Sequence, residues 1–141
     1  MNRVVDASVV VEALLDDGRY GAWCRELLAA GGLAAPHHLP AEVANVLRRG
    51  VAQGRISPEA ASLAHADLLS LPVTLYPFEP LAERVWELRG AVATFDAWYV
   101  ALAERLDLEF VTLDARLMRA AGPRCRFRAA PFADASSEDG Q

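Results

Sequence analysis

Short apolar segments rich in β-branched residues alternate with helical patterns along the whole of this 141-residue chain. Strands that alternate with helices favour a parallel sheet covered by helices on both faces. The chain shows no internal repeat, no linker and no sign of a second domain, and its length suits a single core. The sequence therefore predicts an α/β domain with three layers, α/β/α, around a central parallel sheet of four to five strands.

The individual elements follow from hydrophobic periodicity and from helix start and stop signals. Strands are predicted at residues 4–5, 33–35, 73–76, 109–112 and 125–128. Helices are predicted at residues 7–15, 20–30, 40–53, 58–70, 78–90 and 114–120, with a further helix capped by Thr94. The three tryptophans, Trp23, Trp86 and Trp98, are expected in the core.

Four acidic residues lie where a predicted strand ends or a predicted helix begins: Asp6, Glu42, Asp96 and Asp114. Taken singly, each is explained as a helix-start acid, which caps the helix or favours its dipole. Taken together, they share the carboxyl edge of the sheet, where ligands of α/β folds bind. Clustered carboxylates resist ionising together, and a cation resolves that conflict. Oxygen ligands suit Mg²⁺ or Mn²⁺, and such ions commonly assist phosphodiester cleavage, so the pattern favours a metal-dependent nuclease.

Every one of the 14 basic residues is arginine. The absence of lysine excludes Schiff-base chemistry and the P-loop motif, and it argues against the phosphate-receiving domains of two-component signalling. The net charge of −5 is unusual for a nucleic-acid binder. Arginines nevertheless cluster after two of the acids, and the candidate RNA contacts are Arg48, Arg49, Arg116 and Arg119.

The remaining features indicate a cytoplasmic protein. No apolar run approaches the roughly 20 residues of a membrane helix, and Asp6 comes too early for a secretory signal. Cys24 and Cys125 lack metal-binding spacing and are expected to be reduced. Residues 133–141 form an acidic segment, predicted to be disordered, after a domain at residues 1–132.

Four motifs in order resemble those of the PIN-domain ribonucleases, and the nearest branch is the VapC-type toxins of bacterial toxin–antitoxin pairs. They are Val4-Val5-Asp6-Ala7-Ser8, Pro40-Ala41-Glu42-Val43-Ala44-Asn45-Val46-Leu47, Thr94-Phe95-Asp96-Ala97-Trp98-Tyr99-Val100-Ala101-Leu102-Ala103 and Phe110-Val111-Thr112-Leu113-Asp114-Ala115-Arg116-Leu117. The main departure is Phe95, where this branch often has tyrosine.

The resemblance implies a PIN-like fold and an endoribonuclease that uses Mg²⁺ or Mn²⁺ to leave 5′-phosphate and 3′-hydroxyl ends. Asp6 and Asp96 would bind the principal ion, with Glu42 and Asp114 binding directly, through water or at a second ion. The accessory polar positions are Ser8, Asn45 and Thr112. The implied partners are a VapB-type antitoxin, a transfer or ribosomal RNA substrate and a second copy of the chain.

Three alternatives compete with this hypothesis, and one of them, a structural antitoxin-binding partner without turnover, can be separated from it only by an assay. A haloacid-dehalogenase-like phosphatase needs an aspartate at position 8 and a lysine, and this chain offers Ser8 and no lysine. A PIN-like module that binds RNA or protein without turnover would be marked by loss of an acid, and all four are present. His37 and His38 match no family motif and are expected to be an exposed loop pair, whereas His65 is expected to be structural.

Overall fold

A parallel sheet of five strands forms the centre of the computed structural model, which describes residues 2–132. The strands are β1 (Arg3–Val5), β2 (Leu33–Pro36), β3 (Val73–Tyr76), β4 (Glu109–Val111) and β5 (Phe127–Arg128). Their order across the sheet is β3–β2–β1–β4–β5, and every neighbouring pair is parallel. The chain order reverses between β1 and β4, which makes that point a crevice for ligands.

Helices cover the sheet on two faces, which confirms the predicted three-layer architecture. The helices are α1 (Ala7–Leu15), α2 (Arg19–Ala29), α3 (Leu39–Ala52), α4 (Pro58–Leu69), α5 (Ala82–Glu87), α6 (Thr94–Leu106) and α7 (Ala115–Met118). The first four pack against one another, with α1 contacting α2, α3 and α4. Helix α6 packs separately, against α5 and against β1, β2 and β4.

The core lies where the two central strands meet these layers. Val4, Val5, Phe110 and Val111 are completely buried, because strands β1 and β4 are covered on both faces. Full burial of such a side chain stabilises the fold by about 1.5–3 kcal/mol. The apolar character of β1 and β4 thus fixes both strands in the middle of the sheet, and with them the residues that follow each strand.

The predicted helix at residues 78–90 is wrong in its extent. A 3₁₀ turn at Glu79–Leu81 contains Pro80 and precedes the short helix α5, which ends at Glu87. Proline lacks a backbone N–H donor and is tolerated only near the start of a helix, so the α-helical pattern begins after Pro80. Backbone N–H groups of Ala91 and Val92 then donate to the Leu88 carbonyl, which turns the chain towards α6.

Other sequence predictions also need correction. Thr94 is the first residue of α6 rather than its cap; the cap position is Ala93, which has no side-chain hydrogen bond to offer. Trp86 is 67% exposed, whereas Trp23 and Trp98 pack against the core as expected.

Cys24 and Cys125 are free thiols, as expected. The acidic segment 133–141 lies outside the described residues, and none of the helices within residues 2–132 is long and apolar enough to cross a membrane.

Candidate active site

The neighbouring ends of β1 and β4 bring Asp6 and Thr112 together. Val5 of β1 is in register with Val111 of β4, so the next residue of each strand emerges at the same edge. Asp6 and Thr112 are both buried, and Thr112 Oγ1 donates a hydrogen bond to Asp6 Oδ2 at 2.5 Å. This contact joins residues that are 106 positions apart in the chain.

The other oxygen of Asp6 caps helix α1. Oδ1 accepts hydrogen bonds from the backbone N–H groups of Ser8 and Val9 and from Ser8 Oγ. The helix-capping interpretation is therefore correct for Asp6, but it does not exclude a role in the site. Burial raises the pKa of Asp6 to about 6, against the lowering effect of the hydrogen bonds from Ser8, Thr112 and Val9, and the charge of Asp96 raises it further. An ionised Asp6 is thus costly unless a cation lies close to it.

Ser8 and Thr112 also connect Asp6 to Asp114. The Leu113 N–H donates to Ser8 Oγ, and the Asp114 N–H donates to Thr112 Oγ1, both at 3.0 Å. Asp114 is exposed and caps α7, since its Oδ1 accepts from the backbone N–H groups of Arg116 and Leu117. Two hydroxyl groups therefore tie the loop after β4 to the end of β1.

Asp96 lies at the electrostatic centre of the four acids. It is in the first turn of α6 and is half-buried. Burial raises the pKa of Asp96, and the charges of Glu42 and Asp114 raise it further, whereas His38 acts in the opposite direction. Because Asp96 also raises the pKa of Asp6, it interacts with all three of the other acids. Asp96 and Asp114 line the same cleft, and the electrostatic influence of Asp96 on Asp6 and of Glu42 on Asp96 places the other two acids in its neighbourhood.

Glu42 reaches this edge from the first turn of α3, the helix that follows β2. Pro40 is the second residue of this helix, a position at which proline is tolerated. The Tyr99 hydroxyl donates to Glu42 Oε1 at 3.1 Å, and His38 Nε2 contacts the same oxygen. Burial and the neighbouring charge of Glu42 raise the pKa of Tyr99, so its hydroxyl keeps its proton and acts as a donor. Tyr99 therefore joins α6, which carries Asp96, to α3, which carries Glu42.

The sequence prediction for His38 is wrong, although that for His37 is correct. His37 is exposed, but the side chain of His38 is only 11% exposed and packs among aromatic rings of α6. Sequence reasoning also placed Tyr99 in a helix without assigning it a partner. The four-residue spacing of His38 and Glu42 at the start of a helix was the available signal, since such residues share one helix face.

The polar and basic candidates lie in different surroundings. Asn45 is exposed and accepts a hydrogen bond from Arg48 Nε at 3.0 Å, whereas Arg49 and Arg119 are exposed on α3 and just after α7. Arg116 is placed differently, because it lines a cleft of about 400 Å³ together with Asp96 and Asp114. Arg116 is thus the basic side chain best situated to meet an anion bound at the acids.

The donor set suits a hard cation but does not form a closed cage. Among residues 2–132, no three Asp, Glu, His or Cys side chains lie close enough together to hold a metal ion by themselves. The carboxylates alone would therefore leave part of the coordination of an ion to water or substrate. Mg²⁺ usually keeps several waters and takes only one or two carboxylates together with substrate phosphates. Asp96, which the charges of Glu42 and Asp114 disfavour as an anion, lies with Asp114 in a cleft, and this arrangement fits such a hydrated ion.

The fold and the acidic edge define a PIN domain, and the family model for the PIN domain matches residues 3–123. The chain belongs to the PIN-domain family. It is 44% identical over 126 residues to ribonuclease VapC1 of Mycobacterium tuberculosis, covering 89% of this chain and 95% of that protein. It is 40% identical over 128 residues to VapC ribonuclease Mb0985 of Mycobacterium bovis, covering 91% of this chain and 98% of that protein.

A solved structure shares the fold at lower identity. VapBC2 from Rickettsia felis, bound to a DNA fragment from its promoter, superposes with a TM-score of 0.62 at 17% identity. The match covers 92% of this chain and 98% of that chain. The PIN-like fold expected from the four motifs is confirmed by these comparisons.

Proposed function

We propose that this protein is a divalent-metal-dependent endoribonuclease that acts as the toxin of a toxin–antitoxin pair. The observation that carries the proposal is that Asp96, Asp114 and Arg116 line one cleft, while the Thr112 hydroxyl joins Asp114 to Asp6. Similarity to VapC ribonucleases over about nine-tenths of the chain supports RNA as the substrate. The substrate class proposed is a structured RNA, transfer or ribosomal, cut where single-stranded bases are accessible.

The acids of this chain would hold Mg²⁺ or Mn²⁺, with Asp6 and Asp96 at the principal ion. Glu42 and Asp114 would bind directly, through water or at a second ion. A bound divalent ion supplies water of lowered pKa and stabilises charge on the phosphoryl oxygens. Ser8 and Thr112 orient Asp6, because each donates a hydrogen bond to a different oxygen of its carboxylate. The exposed Asn45 would be an accessory polar residue of the site.

Arg116 would bind the RNA phosphate in the cleft that it shares with Asp96 and Asp114. Arg48, Arg49 and Arg119 are exposed and would contact the RNA backbone further away. Attack of water on phosphorus, with departure of the 3′-oxygen, leaves a 5′-phosphate and a 3′-hydroxyl. A 2′,3′-cyclic phosphate would require the 2′-hydroxyl of the RNA as nucleophile, and nothing in this proposal activates that group.

The partners proposed are a VapB-type antitoxin and a second copy of the chain, in the cytoplasm. An acidic edge with an uncompensated charge attracts a basic side chain, so an antitoxin arginine or lysine would occupy the site in the inhibited complex. The solved VapBC2 assembly, which has the same fold, supports an antitoxin partner.

The test is cleavage of total bacterial RNA by antitoxin-free protein with Mg²⁺ or Mn²⁺, compared with EDTA. Wild type is run beside Asp96→Asn, which keeps the size of the side chain and removes its charge. Discrete products that need both the metal and Asp96 would support the proposal. Folded wild type that binds RNA or antitoxin but yields no products under any condition would instead favour the alternative of a PIN module without turnover.

A further inference from the structure

The imidazole of His38 lies in a box of aromatic rings, formed by Phe95, Trp98 and Tyr99, at the start of α3. Its ring centroid is 5.0 Å from that of Phe95, 4.6 Å from that of Trp98 and 5.0 Å from that of Tyr99. All three rings belong to the first half of α6, the helix that carries Asp96. His38, at the start of the helix that carries Glu42, therefore packs against the helix that carries Asp96.

Two side chains approach the same oxygen of Glu42. His38 Nε2 contacts Oε1, and the Tyr99 hydroxyl donates to Oε1 at 3.1 Å. Within residues 2–132, no hydrogen bond reaches the other oxygen, Oε2. One oxygen of Glu42 is thus fixed by the protein, while the second is left to meet a ligand at the acidic edge.

The two nitrogens of His38 lie in different surroundings. Both are buried, and neither makes a hydrogen bond of ordinary geometry among the described residues. Nε2 is nevertheless in close contact with an acceptor, Glu42 Oε1. A buried N–H without an acceptor nearby is costlier than a buried lone pair without a donor, so Nε2 is the nitrogen that can donate to Glu42.

We propose that His38 is a positioning residue that, together with Tyr99, fixes Oε1 of Glu42 and so presents Oε2 to a divalent ion. This inference rests on the proposed metal-dependent nuclease and names a residue outside its four acids. The aromatic box restricts the rotamer of His38 and excludes water, which strengthens its contact with Glu42. Partners of this kind, one step removed from a metal, typically change metal affinity or activity by about 10–100-fold when they are replaced.

A purely structural role for His38 makes a different prediction. If the imidazole only fills the box, a leucine or glutamine of similar volume would change stability without a separate effect on metal binding. The informative pair is therefore His38→Leu, which removes the donor, and His38→Gln, whose amide nitrogen can still donate to Glu42. Tyr99→Phe removes the second donor but keeps the ring, and His37→Leu serves as the matched control on the exposed neighbour.

The experiment is a Mn²⁺ titration of the metal-free, full-length protein followed by electron paramagnetic resonance, with thermal melting and the Mg²⁺ dependence of RNA cleavage measured on the same variants. We expect His38→Leu to weaken Mn²⁺ binding by about 10-fold. Tyr99→Phe should also weaken Mn²⁺ binding, and His38→Gln should bind Mn²⁺ more tightly than His38→Leu. The two His38 variants should melt at similar temperatures. His37→Leu should match the wild type.

Mn²⁺ affinity equal to that of the wild type in folded His38→Leu and Tyr99→Phe would overturn the inference. So would equal losses in His38→Leu and His38→Gln, because the donor would then be irrelevant. If His38→Leu does not fold, Tyr99→Phe against wild type decides the matter. If the wild type binds Mn²⁺ but cleaves no RNA, the proposed nuclease is wrong, and the Mn²⁺ affinities of the variants still test the positioning role. If the wild type binds no Mn²⁺, the positioning role itself is wrong.

Discussion

The Thr112 hydroxyl donates a hydrogen bond to the carboxylate of Asp6, although the two residues are 106 positions apart in the chain. The contact exists because Val5 and Val111 are paired in adjacent parallel strands, so the residue after each strand leaves the sheet at the same point. The Thr112 hydroxyl in turn accepts from the Asp114 N–H. One buried hydroxyl therefore sets the relative positions of two candidate metal ligands.

Replacing Thr112 with valine keeps the shape of the side chain and removes this hydroxyl. Asp6 Oδ2 and the Asp114 N–H both lose a partner, and an unsatisfied buried group costs about 1–3 kcal/mol. We expect urea unfolding to show a loss of that size for Thr112→Val, larger at pH 8 than at pH 5, because the hydrogen bond stabilises the ionised form of Asp6. Thr112→Ser is the control that retains the hydroxyl. A Thr112→Val protein as stable as Thr112→Ser at pH 8 would contradict this account.

Asp6→Asn is expected to abolish cleavage while stabilising the metal-free protein. Burial raises the pKa of Asp6 from 3.8 to about 6, so the folded state binds a proton more tightly than the unfolded state does. The free energy of unfolding therefore falls as pH rises from about 4 to about 6, and the penalty above pH 6 is about 3 kcal/mol. Asparagine never ionises and does not incur this penalty.

The measurement is the thermal midpoint of wild type and Asp6→Asn between pH 4 and pH 8 in EDTA. The variant should melt at a higher temperature above pH 6, and the difference should disappear towards pH 4. Added Mg²⁺ should stabilise the wild type alone. A variant that is less stable than wild type at pH 8 in EDTA would show that Asp6 is not held at a cost in the folded protein.

Glu104 provides a pH-dependent contact far from the acids. Burial would raise the pKa of Glu104, but hydrogen bonds from the Arg84 guanidinium and the Arg124 N–H lower it overall. Its stabilising effect is therefore complete above the pKa of the unfolded state, about 4.3, and is lost as pH falls through the lower pKa of the folded state. We expect Glu104→Gln to cost about 1–3 kcal/mol at pH 7 and progressively less under acid. A loss in urea unfolding that is the same at pH 3 and pH 7 would contradict this.

Arg116→Gln tests the assignment of a phosphate contact in the cleft. Loss of one contact with single-stranded RNA should weaken binding and reduce the slope of log K against log salt by about 0.7. Arg105→Gln is the matched control, because Arg105 is exposed in the last turn of α6, whereas Asp96 is in the first. Fluorescence anisotropy with catalytically inactive Asp96→Asn protein measures both slopes. Equal slopes for the Arg116 and Arg105 variants would remove Arg116 from the RNA contacts.

Gly21 is expected to tolerate no side chain. A Cβ at this position of α2 would lie 1.9 Å from the Asp16 carbonyl oxygen, which is backbone and cannot move aside. We expect Gly21→Ala to cost about 3 kcal/mol, at the upper end for overpacking. Gly90→Ala is the control, since a Cβ there has no neighbour within 4 Å. Urea unfolding with similar midpoints for the two variants would contradict the close packing of α2 against Asp16.

The strands and the acidic edge were predictable because their signals are local. Val4 and Val5 form a β-branched pair that ends at Asp6, and the acid follows the strand whatever lies around it. Parallel pairing then places such residues at one edge, so Asp6, Glu42, Asp96 and Asp114 could be grouped without coordinates. The split of residues 78–90 was also predictable, because Pro80 lacks a backbone N–H donor and marks the start of a helix rather than its interior.

The aromatic box was not predictable, because its members come from separate segments. Nothing in the residues beside His38 shows that Phe95, Trp98 and Tyr99 will surround it, since that depends on how α3 packs against α6. Trp86 shows the converse case. An aromatic residue in a helix usually faces the core, but its ring is 67% exposed, and the Arg89 guanidinium lies 4.5 Å from the ring centroid.

The most direct test of the metal-site hypothesis is an anomalous difference map from crystals of the wild-type protein grown with Mn²⁺. The account predicts a peak at the carboxyl edge of the sheet, bounded by carboxylate oxygens of Asp6 and Asp96, and its absence from crystals of Asp96→Asn. Mn²⁺ located only away from the four acids, in crystals of protein that cleaves RNA with Mn²⁺, would contradict it.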